Sequence, residues 1–187
     1  MKSHDIGLLL KLVSLEQKEL QAPSSSHSNR HSQYTTRALE EATGISKSKI
    51  NLALNRCIDV GLARKDRQSG VPKINKKALF EFIVHGLKYV FPARPGELTR
   101  GVATAFSAPV LEGKLMSAGD YQPVWPDAKG DTKGLRIEPL FQTAPYAAKN
   151  DPELYSLLAL VDAVRLGQSR ERNLAADLLK QKLDVRE

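Results

Sequence analysis

Cysteine is almost missing from this sequence: Cys57 is the only one in 187 residues. An internal disulfide is therefore excluded, and a reducing cytoplasm suits the composition. Long apolar runs are missing too. Residues 6–13 are the most apolar stretch, well short of the roughly 20 residues a membrane span needs. They lack a small-residue cleavage pattern and are soon followed by charges, so neither a membrane segment nor a signal peptide is expected. Aromatic side chains make up 6%, with a single tryptophan, Trp125. Catalytic fingerprints are absent as well. There is no Walker-type phosphate loop, no GxGxxG opening a helix, no GxSxG elbow and no HExxH. Cysteine and histidine show no zinc-finger spacing. His27 and His31 are four residues apart, but in a Ser-rich segment without helical periodicity and with no acidic or cysteine ligand nearby. His85 lies one turn beyond Glu81 on a helical pattern and reads as a surface or structural group. The expectation is a chain with no metal, no cofactor and no enzymatic activity.

What the sequence has is a segregated positive charge. The formal net charge is +7. Residues 1–91 hold 15 Lys/Arg against 8 Asp/Glu, whereas residues 92–187 hold 13 of each. Between positions 46 and 77, nine cations face only Asp59 and Asp66. Solubility gives no reason to gather charge this way, and a basic face of this kind is the footprint of a polyanionic partner.

The sharpest pattern sits inside that basic stretch, at residues 35–60, TTRALEEATGISKSKINLALNRCIDV. It reads as two short helices joined by a tight turn at Gly44, a residue free to take positive φ. Thr35 or Thr36 can cap the first helix and Ser46 the second. In the second helix Ile50, Ala53, Leu54, Cys57 and Ile58 form one apolar stripe. Cys57 on that stripe reads as core packing. Ser46, Lys47, Ser48, Asn51, Leu52 and Asn55 are left facing outward, with Arg56 at the margin. Small polar, amide and cationic side chains are the ones that reach base edges and phosphates in a major groove.

Residues 5–20 carry Ile6, Leu9, Leu10, Val13 and Leu20 at helical spacing. Residues 21–33 read as a loop, with Arg30 available to a phosphate. After position 60, two short extended runs flank the polar tip Arg67-Gln68-Ser69, which predicts a β-hairpin with Pro72 in an edge strand. Residues 76–90 predict a helix with Phe80, Ile83, Val84, Leu87 and Val90 on one face. Residues 92–150 hold seven of the ten prolines and half of the glycines. They read as a loop-rich, extended strap with short strands near residues 123–127 and 133–141, and with Phe106, Trp125, Phe141 and Tyr146 as anchors. Asp151-Pro152 starts a helix as N-cap and first position. Leu154, Leu157, Leu158, Val161 and Val164 line it, Gly167 stops it, and Ser169 caps a second helix lined by Leu174, Ala175, Leu178, Leu179 and Leu183. This helical hairpin, residues 151–187, closes its own core or packs on a partner.

The spacing of Leu39, Ala42, Gly44, Ile45, Ile50, Ala53 and Leu54 resembles the register of a helix-turn-helix, and with the hairpin after it residues 5–90 resemble a winged helix. Glu40 stands where such motifs usually carry a small residue, so its side chain swings outward or the helices cross more loosely. The resemblance implies a mainly α fold with a small β-hairpin wing: a winged helix-turn-helix domain at residues 1–91, the strap at 92–150 and the C-terminal helical hairpin at 151–187. It implies a bacterial-type, sequence-specific transcriptional regulator that binds duplex DNA as a homodimer, acting as a repressor in the cytoplasm. Base-edge contact falls to Ser46, Ser48, Asn51 and Asn55, the asparagines matching adenine N6/N7. Phosphate or minor-groove contact falls to Lys47, Lys49, Arg56, Arg64, Lys65, Arg67 and Lys73. Two other readings stand beside it. One is a protein-interaction module, such as an antitoxin-like autoregulator that holds a partner through residues 92–187. The other is a non-specific nucleic-acid binder.

Overall fold

The computed structural model describes residues 1–21, 31–114 and 121–185. His27 and Arg30 lie outside them. The fold is mainly helical and divides into two compact units, residues 1–79 and 80–187.

The first unit begins with α1 (Ser3–Gln21), followed by α2 (Thr36–Thr43), α3 (Lys47–Asp59) and the antiparallel pair β1 (Ala63–Lys65) and β2 (Pro72–Ile74). α1 packs against α3 and β2, and α3 packs against α2 and β1. Of the residues expected at helical spacing on α1, Ile6, Leu9, Leu10 and Val13 are buried but Leu20 is not, and burial extends well beyond one stripe. Every residue from Asp5 to Leu15 is buried, whereas Leu20 is 81% exposed. The run Leu8-Leu9-Leu10-Lys11-Leu12-Val13 puts apolar groups on all sides of the helix, so no single stripe could mark its inner face.

The burial of Asp5 is offset by an ion pair with α3. Arg56 donates from Nε and Nη2 to the two Asp5 carboxylate oxygens at 2.9 and 2.7 Å, and the Lys2 N–H adds a third bond at 2.8 Å. Burial pushes the Asp5 carboxyl up, but the hydrogen bonds from Arg56 and Lys2 and the Arg56 charge outweigh it, and the group is held below the usual carboxylate range. A depressed folded pKa gives stability that is present above the unfolded value, about 4, and is lost as pH falls through the folded one. Asp5→Asn should therefore cost on the order of 2 kcal/mol in urea titrations near neutral pH, and its stability should fall less steeply than the wild type's below pH about 4. An acid limb of unchanged slope would contradict this.

Residues 76–90 form one continuous helical run, but not a regular one. α4 (Lys76–Glu81) passes through a π-helical turn (Phe82–Gly86) into α5 (Leu87–Val90). The buried positions are Leu79, Ile83 and Leu87, while Val90 is 54% exposed. Ile83 and Leu87 of the expected stripe are thus buried, while Phe80 and Val84 are only half-buried and Leu79 joins the inner face.

In the second unit, β3 (Leu98–Ala103), β4 (Gln122–Pro126) and β5 (Thr132–Arg136) close on one another. β3 runs antiparallel to both others, and β4 and β5 are parallel. Two short 3₁₀ turns (Ala105–Ser107 and Pro109–Leu111) follow β3, and α6 (Ala144–Asn150), α7 (Pro152–Leu166) and α8 (Ser169–Lys182) complete the unit. The strands at 122–126 and 132–136 fall near the two expected ordered pieces. The region around them is not an extended strap, since it also contains β3 and α6 and shares one compact unit with the C-terminal helices. Tyr146 is no anchor, at 49% exposed, whereas Trp125 and Phe141 are buried.

α7 is the centre of this unit. It is buried on all sides from Leu157 to Arg165 and is met by α5, α6, α8 and both 3₁₀ turns. Asp151 caps it, accepting from Leu154 N–H at 3.2 Å. α8 is preceded by Gln168 as its N-cap, with Ser169 as the first helical residue and no side-chain cap bond. The apolar seam between α7 and α8 is largely spent inside the unit: Leu154, Leu157, Leu158, Val161, Val164, Ala175, Leu179 and Leu183 are all at most 1% exposed, whereas Leu174 and Leu178 of the expected stripe are half-buried.

Candidate nucleic-acid interface

α2 and the turn that joins it to α3 are fixed by three local devices. Thr35 caps α2 by accepting from Ala38 N–H at 3.3 Å. Gly44 takes φ 70° and its N–H closes on Glu40 C=O at 2.7 Å. Thr43 is buried and ties itself to Leu39 C=O at 2.6 Å while accepting from Ile45 N–H at 3.2 Å.

Ser46 holds the N-cap position of α3 with extended backbone angles, but its side chain makes no cap bond. Its hydroxyl sits 3.4 Å from that of Ser48. The capping falls instead to Glu40. Glu40 swings outward, accepts from Lys47 N–H at 3.1 Å and lies 3.7 Å from Lys47 Nζ. A carboxylate at a helix N-terminus meets both the unpaired N–H groups and the positive end of the dipole. Glu40→Ala should therefore lower stability by about 0.5–1.5 kcal/mol and loosen the α2–α3 turn, seen as faster amide exchange at Lys47. Unchanged stability and unchanged exchange would remove Glu40 from this role.

α3 buries Ile50, Ala53 and Cys57 completely. Burial pushes the Cys57 thiol up to about 12, so it stays protonated near neutral pH and is a packing group. The opposite side of α3 exposes Lys47, Ser48, Lys49, Asn51, Leu52 and Asn55, while Ser46 is half-buried. At 100° per residue, Asn51, Asn55, Ser48 and Leu52 share an arc of about 100°.

Of the cations expected to reach a polyanion, Arg56 stands apart. Its guanidinium is committed to Asp5 and ties α1 to α3. The helical pattern gave no sign of this, because the partner lies 51 residues away. Lys47 is likewise shared with Glu40. Lys49, Arg64, Lys65, Arg67 and Lys73 are exposed and form no ion pair among the described residues.

The hairpin places its charges in a way that costs energy. Arg64 stands directly opposite Lys73 across the two strands, and like charges in register repel. The tip is pinned by Asp66, which accepts from Ser69 N–H at 3.0 Å and Ser69 hydroxyl at 2.6 Å, with Gly70 at φ 70° closing the turn. Those Ser69 bonds outweigh burial and hold the Asp66 carboxyl below the usual range. Asp66 is thereby occupied with the turn, and Arg67 and Gln68 are left exposed at the apex.

No group of three His, Cys, Asp or Glu able to hold a metal occurs among the described residues. No helix among them is long and apolar enough to cross a membrane. No family model matches the chain, and neither does any curated protein or solved structure.

Proposed function

We propose that this protein is a winged-helix transcriptional regulator that binds duplex DNA sequence-specifically, as a homodimeric repressor. One observation carries the reading. A helix with an exposed amide and hydroxyl face is followed directly by a two-stranded hairpin whose exposed cations form no ion pair among the described residues and include Arg64 and Lys73 in repulsive register. A phosphate backbone relieves that repulsion, and a major groove accepts the helix.

In this reading α3 enters the groove. Ser46, Ser48, Asn51 and Asn55 meet base edges, and Lys47, Lys49, Arg64, Lys65, Arg67 and Lys73 meet phosphates or the minor groove. Arg56 supports the helix through Asp5 in place of the phosphate contact expected of it. Two copies would read half-sites about one helical turn apart. Capture of a protein partner by residues 92–187 has less support, because α7 and α8 turn their apolar faces into their own unit.

The two kinds of contact separate by substitution. Asn51→Ala should reduce the preference for cognate over random duplex by about 1–3 kcal/mol. Lys73→Ala should weaken all duplexes alike and reduce the salt slope by about one. Equal losses on cognate and random DNA for both variants, in anisotropy titrations, would refute this division.

A further inference from the structure

Leu52 is the feature of α3 that phosphate and amide chemistry leave unused. It is 57% exposed, on the arc that carries Ser48, Asn51 and Asn55, and it is the one large apolar side chain there. A single exposed leucine needs no explanation elsewhere on a surface, but its place here gives it one. The neighbouring buried positions of α3 are filled by Ile50, Ala53 and Cys57, so Leu52 serves no core. One turn further on, Arg56 is drawn down to Asp5, which leaves Lys49, one turn back, as the cation beside Leu52.

In a major groove the apolar group a base offers is the 5-methyl of thymine, and asparagine is the amide that matches adenine. Asn51 and Asn55 with Leu52 beside them therefore make up the chemistry of A·T pairs: adenine edges for the amides, a thymine methyl for the leucine. We infer that Leu52 is a specificity-determining residue that reads a thymine 5-methyl group, and that the base pairs under α3 are A·T-rich. This rests on the reading of α3 as the groove-facing helix.

The test separates the two. The full-length protein selects duplexes from a randomised pool. In the enriched duplex each thymidine is then replaced singly by 2′-deoxyuridine, which pairs identically and lacks only the methyl. At one or more positions the replacement should weaken wild-type binding roughly three- to fivefold, the worth of one buried methyl. Leu52→Ala should bind the thymidine and deoxyuridine forms equally. An enriched duplex with no sensitive thymidine would overturn the inference and leave the DNA-binding reading standing. So would a Leu52→Ala protein that keeps the wild-type loss. A pool with no enriched sequence would overturn both together.

Discussion

Gly134→Ala should destabilise the second unit by about 3 kcal/mol or more, at or beyond the upper end of ordinary overpacking. A Cβ at position 134 would stand 1.9 Å from the Gln122 carbonyl oxygen, and one at Gly101 would stand 1.9 Å from that of Trp125. Both obstacles are backbone atoms, so no side chain can rotate to make room. Three strands close on one another here because β4 meets each of its neighbours at a glycine: Gly134 of β5 pairs with Gln122, and Gly101 of β3 with Pro126. Relief would require parting β4 from its neighbours. Trp125, the only tryptophan and 1% exposed, reports directly on this packing through its fluorescence during urea unfolding. Gly96→Ala is the control, because its nearest neighbours lie at 3.6 Å, ordinary contact distance, and it should shift stability by no more than about 0.5 kcal/mol. Equal midpoints for Gly134→Ala and wild type would mean that the strands do not close as described.

Asp162→Ala should be as damaging, for an electrostatic reason. Asp162 is fully buried in α7 and accepts from Trp125 Nε1 at 2.6 Å, Thr104 hydroxyl at 3.0 Å and Arg165 Nη1 at 2.6 Å. Burial pushes its carboxyl up, against the pull of the Arg165 charge and of these three bonds. Arg165 is itself 3% exposed at its side chain and donates onward to the carbonyls of Phe91 and Glu138 at 2.8 and 3.3 Å. Removing the carboxylate leaves a buried guanidinium with neutral acceptors only, a change that typically costs about 3–5 kcal/mol. Replacing both charges, as Asp162→Leu with Arg165→Met, should recover a large part of that loss, because a well-packed apolar pair has no stranded ion. A double variant no more stable than Asp162→Ala would show that packing around α7, not the unpaired charge, sets the cost.

These two features mark where the sequence stops being informative. The α2–α3 turn and the hairpin were legible because their determinants are local. Thr35, Gly44 and the Asp66–Gly70 tip act within a few residues of themselves, and hydrophobic spacing supplies the rest. β3 was not legible, because Gly101 interrupts its pattern and exists for a contact with Trp125 across the sheet. α6 was hidden by Pro145 in a proline-rich context, although proline in a first helical turn is well tolerated. The polar cluster around Asp162 joins residues 37 and 58 apart, and the Asp5–Arg56 pair joins residues 51 apart. No periodicity encodes such partners. For the candidate interface, composition gathered the cations as a group but could not say which were already engaged. Only the structure separates Arg56 and Lys47, tied to Asp5 and Glu40, from Lys49, Arg64, Lys65, Arg67 and Lys73, which form no ion pair among the described residues. Glu40, the one position that departs from the expected register, turns outward to the N-terminus of α3.

The central claim is sequence-specific binding of duplex DNA, and fluorescence anisotropy addresses it most directly. The full-length protein is titrated with a duplex from the region upstream of its own reading frame and with a scrambled duplex of the same composition, across a salt series. The account predicts a preference on the order of a thousandfold for the upstream duplex and a salt slope that reports several phosphate contacts on both. Equal affinities with a steep slope on each would contradict specificity and make the protein a general nucleic-acid binder. No binding to either duplex even at low salt would contradict the DNA-binding account itself.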